Sequence, residues 1–541
     1  MESHATASTP GILRSADHPA LALAGKADGA RGVPSGLPGV LFRVGYTTEN
    51  LIKVGALMKA DAPPLPLWEL LDRASGEGAL EILARLLLLG QSEERRLVAR
   101  ALAPDSTLKV DVDALMRADL LEVDPSDASR VRAIAGLVPM GETLILRDFP
   151  RAITGRAPAP DHVLAVGGAS TLVSQLTPRQ KVALALDLGT GQGFQAILAS
   201  AHAERVIATD VNARALRLAA ASCALNGVRN VELRLGSLYE PVQDLAGQFN
   251  LIVSNPPFVI APPQDVAGYS DAELAGHALV ERVVREMGSM LAPGGIGVLV
   301  ANWAYSGDEA AQGRWSATPT RWLNASSAPV DAAVLHFGSY AARAYAFKWL
   351  EETGTPRDQM TREMMDRWLA YYASLGIDAV AFGAIMVRRC TPGQSPVIHC
   401  ESVDNPAKGL ACADTLERTL AGVRTLADLR AQSDDAIGAW RPKLTTDALL
   451  TRLLSPMGGA WRADRVLLTQ RGGLPREVGL DGVTADLLAT LDGTRSVDDA
   501  GRRVARSHGL SDSPAEATRR AREVVTGLAR LGYFESSGST R

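Results

Sequence analysis

At 541 residues the chain exceeds one ordinary domain, and its 46% hydrophobic and 21% charged content excludes both a disordered polymer and a membrane-embedded one. A formal net charge of −4 removes any global pull toward phosphate backbones, which leaves only a local basic groove as a route to nucleic acid. Cys223, Cys390, Cys400 and Cys412 are scattered without a CxxC pair, which argues against a disulfide scaffold or a ribbon-type zinc site, so no metal is expected.

In chain order, residues 1–36 are rich in Ala, Gly, Pro and Ser without periodicity and read as a disordered tail. Residues 37–150 form an N-terminal domain in which Leu51, Val54 and Leu57, then Leu80, Leu83, Leu86 and Leu87, recur at helical spacing. The period then shortens through Val131, Ala133, Leu144 and Leu146, and helices followed by a hairpin resemble a winged helix. Such a module grips nucleic acid in some settings and serves as a lid or cap in others. Residues 151–160 read as a proline-containing linker.

From 161 to 391 short apolar runs alternate with helical stretches, the pattern of a parallel α/β sheet. Its strands are expected at Val182–Leu186, Val206–Thr209, Val231–Leu235, Leu251–Val253 and Ile296–Val300, with an aromatic-rich insertion over 304–375 and a final strand pair over Ala379–Val387. Residues 392–541 read as an α+β module, winged-helix-like at its end, where Ser496 and Asp499 have capping-box spacing. No apolar run approaches the roughly 18 residues of a membrane span. With no charged-then-apolar leader either, a cytoplasmic chain without a membrane partner is expected.

In a doubly wound sheet ligands lie at the carboxyl ends of the strands, so the residues just after each apolar run carry the chemistry. After the first strand stand Asp187, Gly189, Gly191 and Gly193, whose glycines let backbone approach a ligand. The third glycine comes one residue too early for the G-x-G-x-x-G loop of dinucleotide sites, which favours S-adenosylmethionine. Asp210, after the second strand, is placed to accept both ribose hydroxyls, with a helix N-cap as its plainer role. Ser237, after the third, is placed for a neutral contact to the adenine amino group.

The fourth strand ends in Asn255, Pro256, Pro257 and Phe258. The prolines stiffen this turn, so that the Asn255 side-chain carbonyl and the Pro256 main-chain carbonyl can accept from one NH₂ group while Phe258 stacks on its planar substituent. Catalysis by such a site is mostly positioning.

From Asp187 to Val300 these residues resemble the class I methyltransferase family of the "small" type, which includes release-factor glutamine methyltransferases and nucleic-acid amino N-methyltransferases. The stretch from Gly236 to Pro241 and the segment Val253 to Ile260 are especially similar to the glutamine enzymes. The resemblance implies a Rossmann-like, seven-stranded doubly wound sheet, S-adenosylmethionine at Asp187, Gly189, Gly191 and Asp210, and a substrate amide or amino group at Asn255 to Phe258. The glutamine enzymes usually carry Tyr where Phe258 stands, and lack both the aromatic insertion and everything after Pro392. The three-part layout resembles an actinobacterial-type methyltransferase group. The expected function is N-methylation of a planar nitrogen, first of a ribosomal or transfer RNA base. The alternatives are a protein or peptide amide, a specialised metabolite under an aromatic lid, and a non-enzymatic adenosylmethionine-binding module.

Overall fold

Aliphatic and β-branched runs become strands, and Ala- and Arg-rich stretches between them become helices, in both of the units into which the chain divides. One unit comprises Met1–Ser170, Lys181–Leu279 and Arg343–Leu375; the other comprises Thr171–Gln180, Val280–Ala342 and Gly376–Arg541. The computed structural model describes residues 12–14, 32–58, 65–103, 106–108, 110–156, 159–265, 276–352, 360–404, 411–510 and 514–535.

The first unit opens with β1 (Ile12–Arg14) and short helices, followed by β2 (Glu93–Glu94), β3 (Leu121–Asp124), β4 (Asp127–Ala133), β5 (Gly136–Met140) and β6 (Thr143–Arg147). Strands β2, β4 and β3 make one small sheet and β5–β6 a hairpin. Next come β7 (Val182–Leu188), β8 (Ala203–Asp210), β9 (Val231–Leu235) and β10 (Phe249–Ser254), in the order β1-β9-β8-β7-β10. Strands β7 to β10 run parallel, and β1 pairs antiparallel with β9. This is the doubly wound arrangement, and it brings the carboxyl ends of β7, β8 and β10 side by side. Ser254 Oγ reinforces that end by donating to the Leu188 carbonyl at 2.8 Å.

The hairpin β5–β6 is bonded to helix Ala213–Leu225, which follows β8. Leu144 N–H donates to Asn226 Oδ1 at 2.9 Å, Asn226 Nδ2 donates back to the Leu144 carbonyl at 2.7 Å, and Leu146 N–H donates to Ser222 Oγ at 3.1 Å. Arg214 Nε reaches both Asp148 oxygens, at 3.0 and 3.1 Å. Leu218, Ala221 and Leu225 share one apolar core with Leu144, Leu146 and Leu86, so the N-terminal domain is packed onto the sheet's helical layer.

In the second unit, β11 (Leu291–Tyr305), β12 (Val330–Ala341), β13 (Ala379–Arg389) and β14 (Ile398–Ser402) follow the order β11-β13-β12-β14. β13 is antiparallel to both β11 and β12, while β14 is parallel to β12. A smaller sheet holds β15 (Ala448–Met457), β16 (Ala460–Gln470) and β17 (Val478–Leu480), and its apolar cluster includes Leu468, Val497, Val525 and Tyr533. Helix Val497–Ser507 starts where Ser496 accepts from Asp499 N–H, the capping-box spacing of the sequence.

Three expectations change. Of the 1–36 segment, residues 1–11 and 15–31 lie outside the described ones, but Ile12–Arg14 pair with Arg234–Glu232, because extended backbone can satisfy the open edge of β9. The 304–375 segment is not one insertion: its middle, β12, lies between β13 and β14, and Val330 to Leu335 are all buried. That run escapes notice because Asp331 interrupts it, and burial there is balanced by the Arg424 guanidinium 3.6 Å away. The boundary at 392 precedes β14, which extends the sheet of β12.

Candidate functional site

Asp187 is the penultimate residue of β7, just before the glycine loop, and is 1% exposed. Its Oδ2 accepts from Thr190 Oγ1 at 2.6 Å and from Ala196 N–H at 2.8 Å, stapling the loop to helix Phe194–Ser200. Burial pushes this carboxyl up to about 7, and the neighbouring Asp210 charge adds to the rise. Gly189 and Gly191 have φ of +73° and +56°, and a Cβ on either would point into open space, a cradle along the loop. Gly193 differs. At φ +90° its Cβ would come within 3.1 Å of Ala219, so the space beside this glycine is taken by helix Ala213–Leu225.

Asp210 ends β8 and faces the same loop. One carboxylate oxygen accepts from Gly191 N–H at 2.8 Å and the other from Asn212 N–H at 2.9 Å. Helix Ala213–Leu225 is capped by Asn212, whose Oδ1 accepts from Arg214 N–H at 2.9 Å. Asp210 is therefore not the cap, and with Val211 N–H as a third backbone donor a carboxylate of about four acceptor positions keeps one for a ligand. Desolvation raises its pKa. Ser237 follows β9 and is half-buried beside Leu238, whose φ of +48° marks a strained turn of the kind found at ligand clamps.

At the end of β10, Asn255 Nδ2 donates to Ser170 Oγ at 2.9 Å, whereas Asn255 Oδ1 is buried with no hydrogen-bond partner among the described residues. A buried orphan acceptor costs about 1–3 kcal/mol unless something supplies a donor. Pro256 is buried, Pro257 exposed and Phe258 half-buried.

Helices Ala342–Glu352 and Arg362–Ser374 hold the far side of this loop. Ile260 N–H donates to the Tyr345 hydroxyl at 3.1 Å, and the Tyr372 hydroxyl donates to the Ile260 carbonyl at 2.9 Å. Arg367 forks onto Asp265 at 2.7 and 2.9 Å. Trp349 packs edge-on to Phe258, with ring centroids 6.2 Å apart. Lys348 Nζ lies 4.4 Å from its ring centroid.

A family model described as "Methyltransferase small domain" matches residues 166–312. A release factor glutamine methyltransferase of Aliivibrio fischeri is 38% identical over 87 residues, 16% of this chain and 30% of that protein. One from Deinococcus radiodurans is 37% identical over 123 residues, covering 20% of this chain and 42% of its own length. A ribosomal RNA small subunit methyltransferase C of Citrobacter koseri is 37% identical over 93 residues, 17% of this chain and 26% of that protein. The chain thus spans less than half the length of each of these relatives.

Residues 166–312 belong to the small class I methyltransferase family.

This methyltransferase domain is of the Rossmann-like α/β class, with the four parallel strands β7 to β10 in the first unit. The structure gathers Asp187, Gly189, Gly191 and Asp210 in one cluster and sets Asn255 to Phe258 just past the end of the strand beside it. Ser170, Thr190, Gln195, Tyr345, Trp349 and Tyr372 also build the site and were not singled out as functional by their pattern. A faint signal exists for the aromatics: Tyr345 and Trp349, like Trp368 and Tyr372, are spaced four apart and so share a helix face.

Proposed function

We propose that the chain transfers the methyl group of S-adenosylmethionine to a planar amino or amide nitrogen. The observation that carries this reading is the buried, unpartnered Oδ1 of Asn255 at the carboxyl end of β10. An NH₂ group has the donors this acceptor lacks, and with one hydrogen held by Oδ1 and the other by the Pro256 carbonyl its lone pair has a defined direction.

The cradle along Gly189 and Gly191 and the spare acceptor capacity of Asp210 fit the cofactor's backbone-hugging chain and ribose. When bound, S-adenosylmethionine supplies an electrophilic methyl group on a cationic sulfur. Ser237 takes the adenine edge with a neutral hydroxyl in this assignment. Asn255 and Pro256 orient the nitrogen, Phe258 stacks on the group that carries it, and Trp349 braces the Phe258 edge. The tyrosines at Ile260 keep the turn from drifting, which matters because positioning supplies most of the rate.

For the substrate we favour a nucleic-acid base, since a stacked aromatic group suits Phe258 and the relative from Citrobacter koseri is named for ribosomal RNA. A protein glutamine amide is the second reading, supported by the release factor glutamine methyltransferases among the relatives. No helix among the described residues is long and apolar enough to cross a membrane. Within this reading the chain works in the cytoplasm, where its four free cysteines stay reduced.

The experiment is to incubate the purified chain with methyl-labelled S-adenosylmethionine and a lysate of its host, then separate RNA, protein and small molecules. Label in RNA supports the base reading and label in protein the amide reading. Label in neither, with Asn255→Ala indistinguishable from the native chain, defeats both.

A further inference from the structure

We infer that Ser170 is a positioning residue that sets which end of the Asn255 amide faces the substrate nitrogen; the inference rests on the methyl-transfer reading above. The two ends of a carboxamide are nearly identical in shape and opposite in function. Only the oxygen accepts from an NH₂ group, so a flipped Asn255 presents donors to donors.

Ser170 stands in the first turn of helix Gly168–Leu176, and its Oγ accepts from Asn255 Nδ2 at 2.9 Å across 85 residues of sequence. That contact occupies the nitrogen end and turns Oδ1 the other way, where it is buried without a partner. The position of Ser170 is itself held. Its main-chain carbonyl accepts from Gln195 Nε2 at 2.6 Å, and Gln195 is a buried residue of helix Phe194–Ser200, one residue before Ala196, whose N–H binds Asp187. The order of contacts is therefore Asp187, the helix after the glycine loop, Gln195, Ser170, Asn255. One rigid path ties the nucleoside side of the site to the acceptor side, and the substrate amide or amino group meets an oxygen because of it.

Ser170→Ala removes the acceptor at Nδ2 and lets the amide rotate, while Ser170→Thr keeps a hydroxyl at that place. The test uses the full chain, tritiated S-adenosylmethionine and a lysate of host cells lacking this protein, with label followed in whichever fraction the native chain modifies. Varying the lysate concentration separates maximal rate from half-saturation. Binding of S-adenosylhomocysteine is measured by calorimetry on the same samples.

The expected result is a maximal rate about ten- to a hundredfold lower for Ser170→Ala, binding of S-adenosylhomocysteine within about twofold of native, and most of the rate regained in Ser170→Thr. An Ala variant as fast as native overturns the inference. So does a variant that loses S-adenosylhomocysteine binding in proportion to rate, because Ser170 then acts on the cofactor and not through Asn255. A native chain that labels nothing overturns the methyl-transfer reading itself, an outcome distinct from a native chain that labels and a Ser170→Ala chain that labels equally well.

Discussion

The Tyr372 hydroxyl donates to the main-chain carbonyl of Ile260 at 2.9 Å, while the N–H of that same residue donates to Tyr345 at 3.1 Å. Two helices 85 and 112 residues downstream thus clamp both polar groups of one residue, two positions past Phe258. An extended loop with no strand partner has obtained, from side chains, the backbone bonds a sheet would otherwise supply.

Removing one of these hydroxyls should loosen the turn without touching the cofactor loop. For Tyr372→Phe the Ile260 carbonyl loses its donor in a buried place, so a stability loss of about 1–3 kcal/mol is expected. Thermal unfolding of the variant measures it, and an unchanged midpoint would show that the clamp bears no load.

Asn255→Ala removes the orphan acceptor. Loss of one precisely placed polar group in a positioning site lowers rate by roughly 10²–10³. Methyl transfer should fall by that factor while S-adenosylhomocysteine affinity, read by calorimetry, stays within a few fold. Equal losses in both would move Asn255 from the acceptor side to the cofactor side.

Asp210→Ala is expected to act in the opposite sense. A hydrogen bond to an ionised group contributes about 1.5–3 kcal/mol, so losing the ribose contact should weaken cofactor binding by about ten- to a hundredfold. Part of that loss comes from the Gly191 N–H, which the carboxylate also holds. Tight cofactor binding by the variant would refute the ribose assignment.

The Asp187 carboxyl, raised by burial to about 7, makes stability depend on pH. Unfolded, such a group titrates near 3.9, so between about pH 4 and pH 7 the folded chain keeps a proton that the unfolded chain has released. Its stabilising contribution is complete below the unfolded value and is lost as pH rises through about 7. The melting temperature without added cofactor should fall from about pH 5 to about pH 8, with a shallower slope in Asp187→Asn. Identical slopes would assign the dependence to other groups.

Asn226 bonds both polar groups of Leu144, and its Nδ2 also donates to the Ser222 carbonyl at 2.7 Å. Asn226→Ala should therefore cost about 1–3 kcal/mol and expose the β5–β6 hairpin first. Amide hydrogen exchange at Leu144 and Leu146 reports this directly, and unchanged protection would mean that the shared apolar core alone holds the N-terminal domain.

The motif residues are legible because their chemistry is local. A strand that ends in Asp187 and glycines, or in Asn255 and two prolines, restricts its own backbone through φ, and the next few residues decide what can bind there. β12 is less legible because a buried Asp331 breaks its apolar run, and its ion pair with Arg424 comes from 93 residues away. Gly193 reads as a ligand glycine within its loop, yet Ala219 on another helix is what needs the space.

By itself, then, the sequence determined the methyltransferase domain and the candidate residues at its strand ends, since these follow from short spacings along the chain. The tertiary structure alone decided which end of the Asn255 amide is free, what braces Phe258 and Ile260, and that the N-terminal domain rests on helix Ala213–Leu225. Those contacts join residues 76 to 112 positions apart, and no periodicity encodes a pairing that arises only when two surfaces are folded against each other.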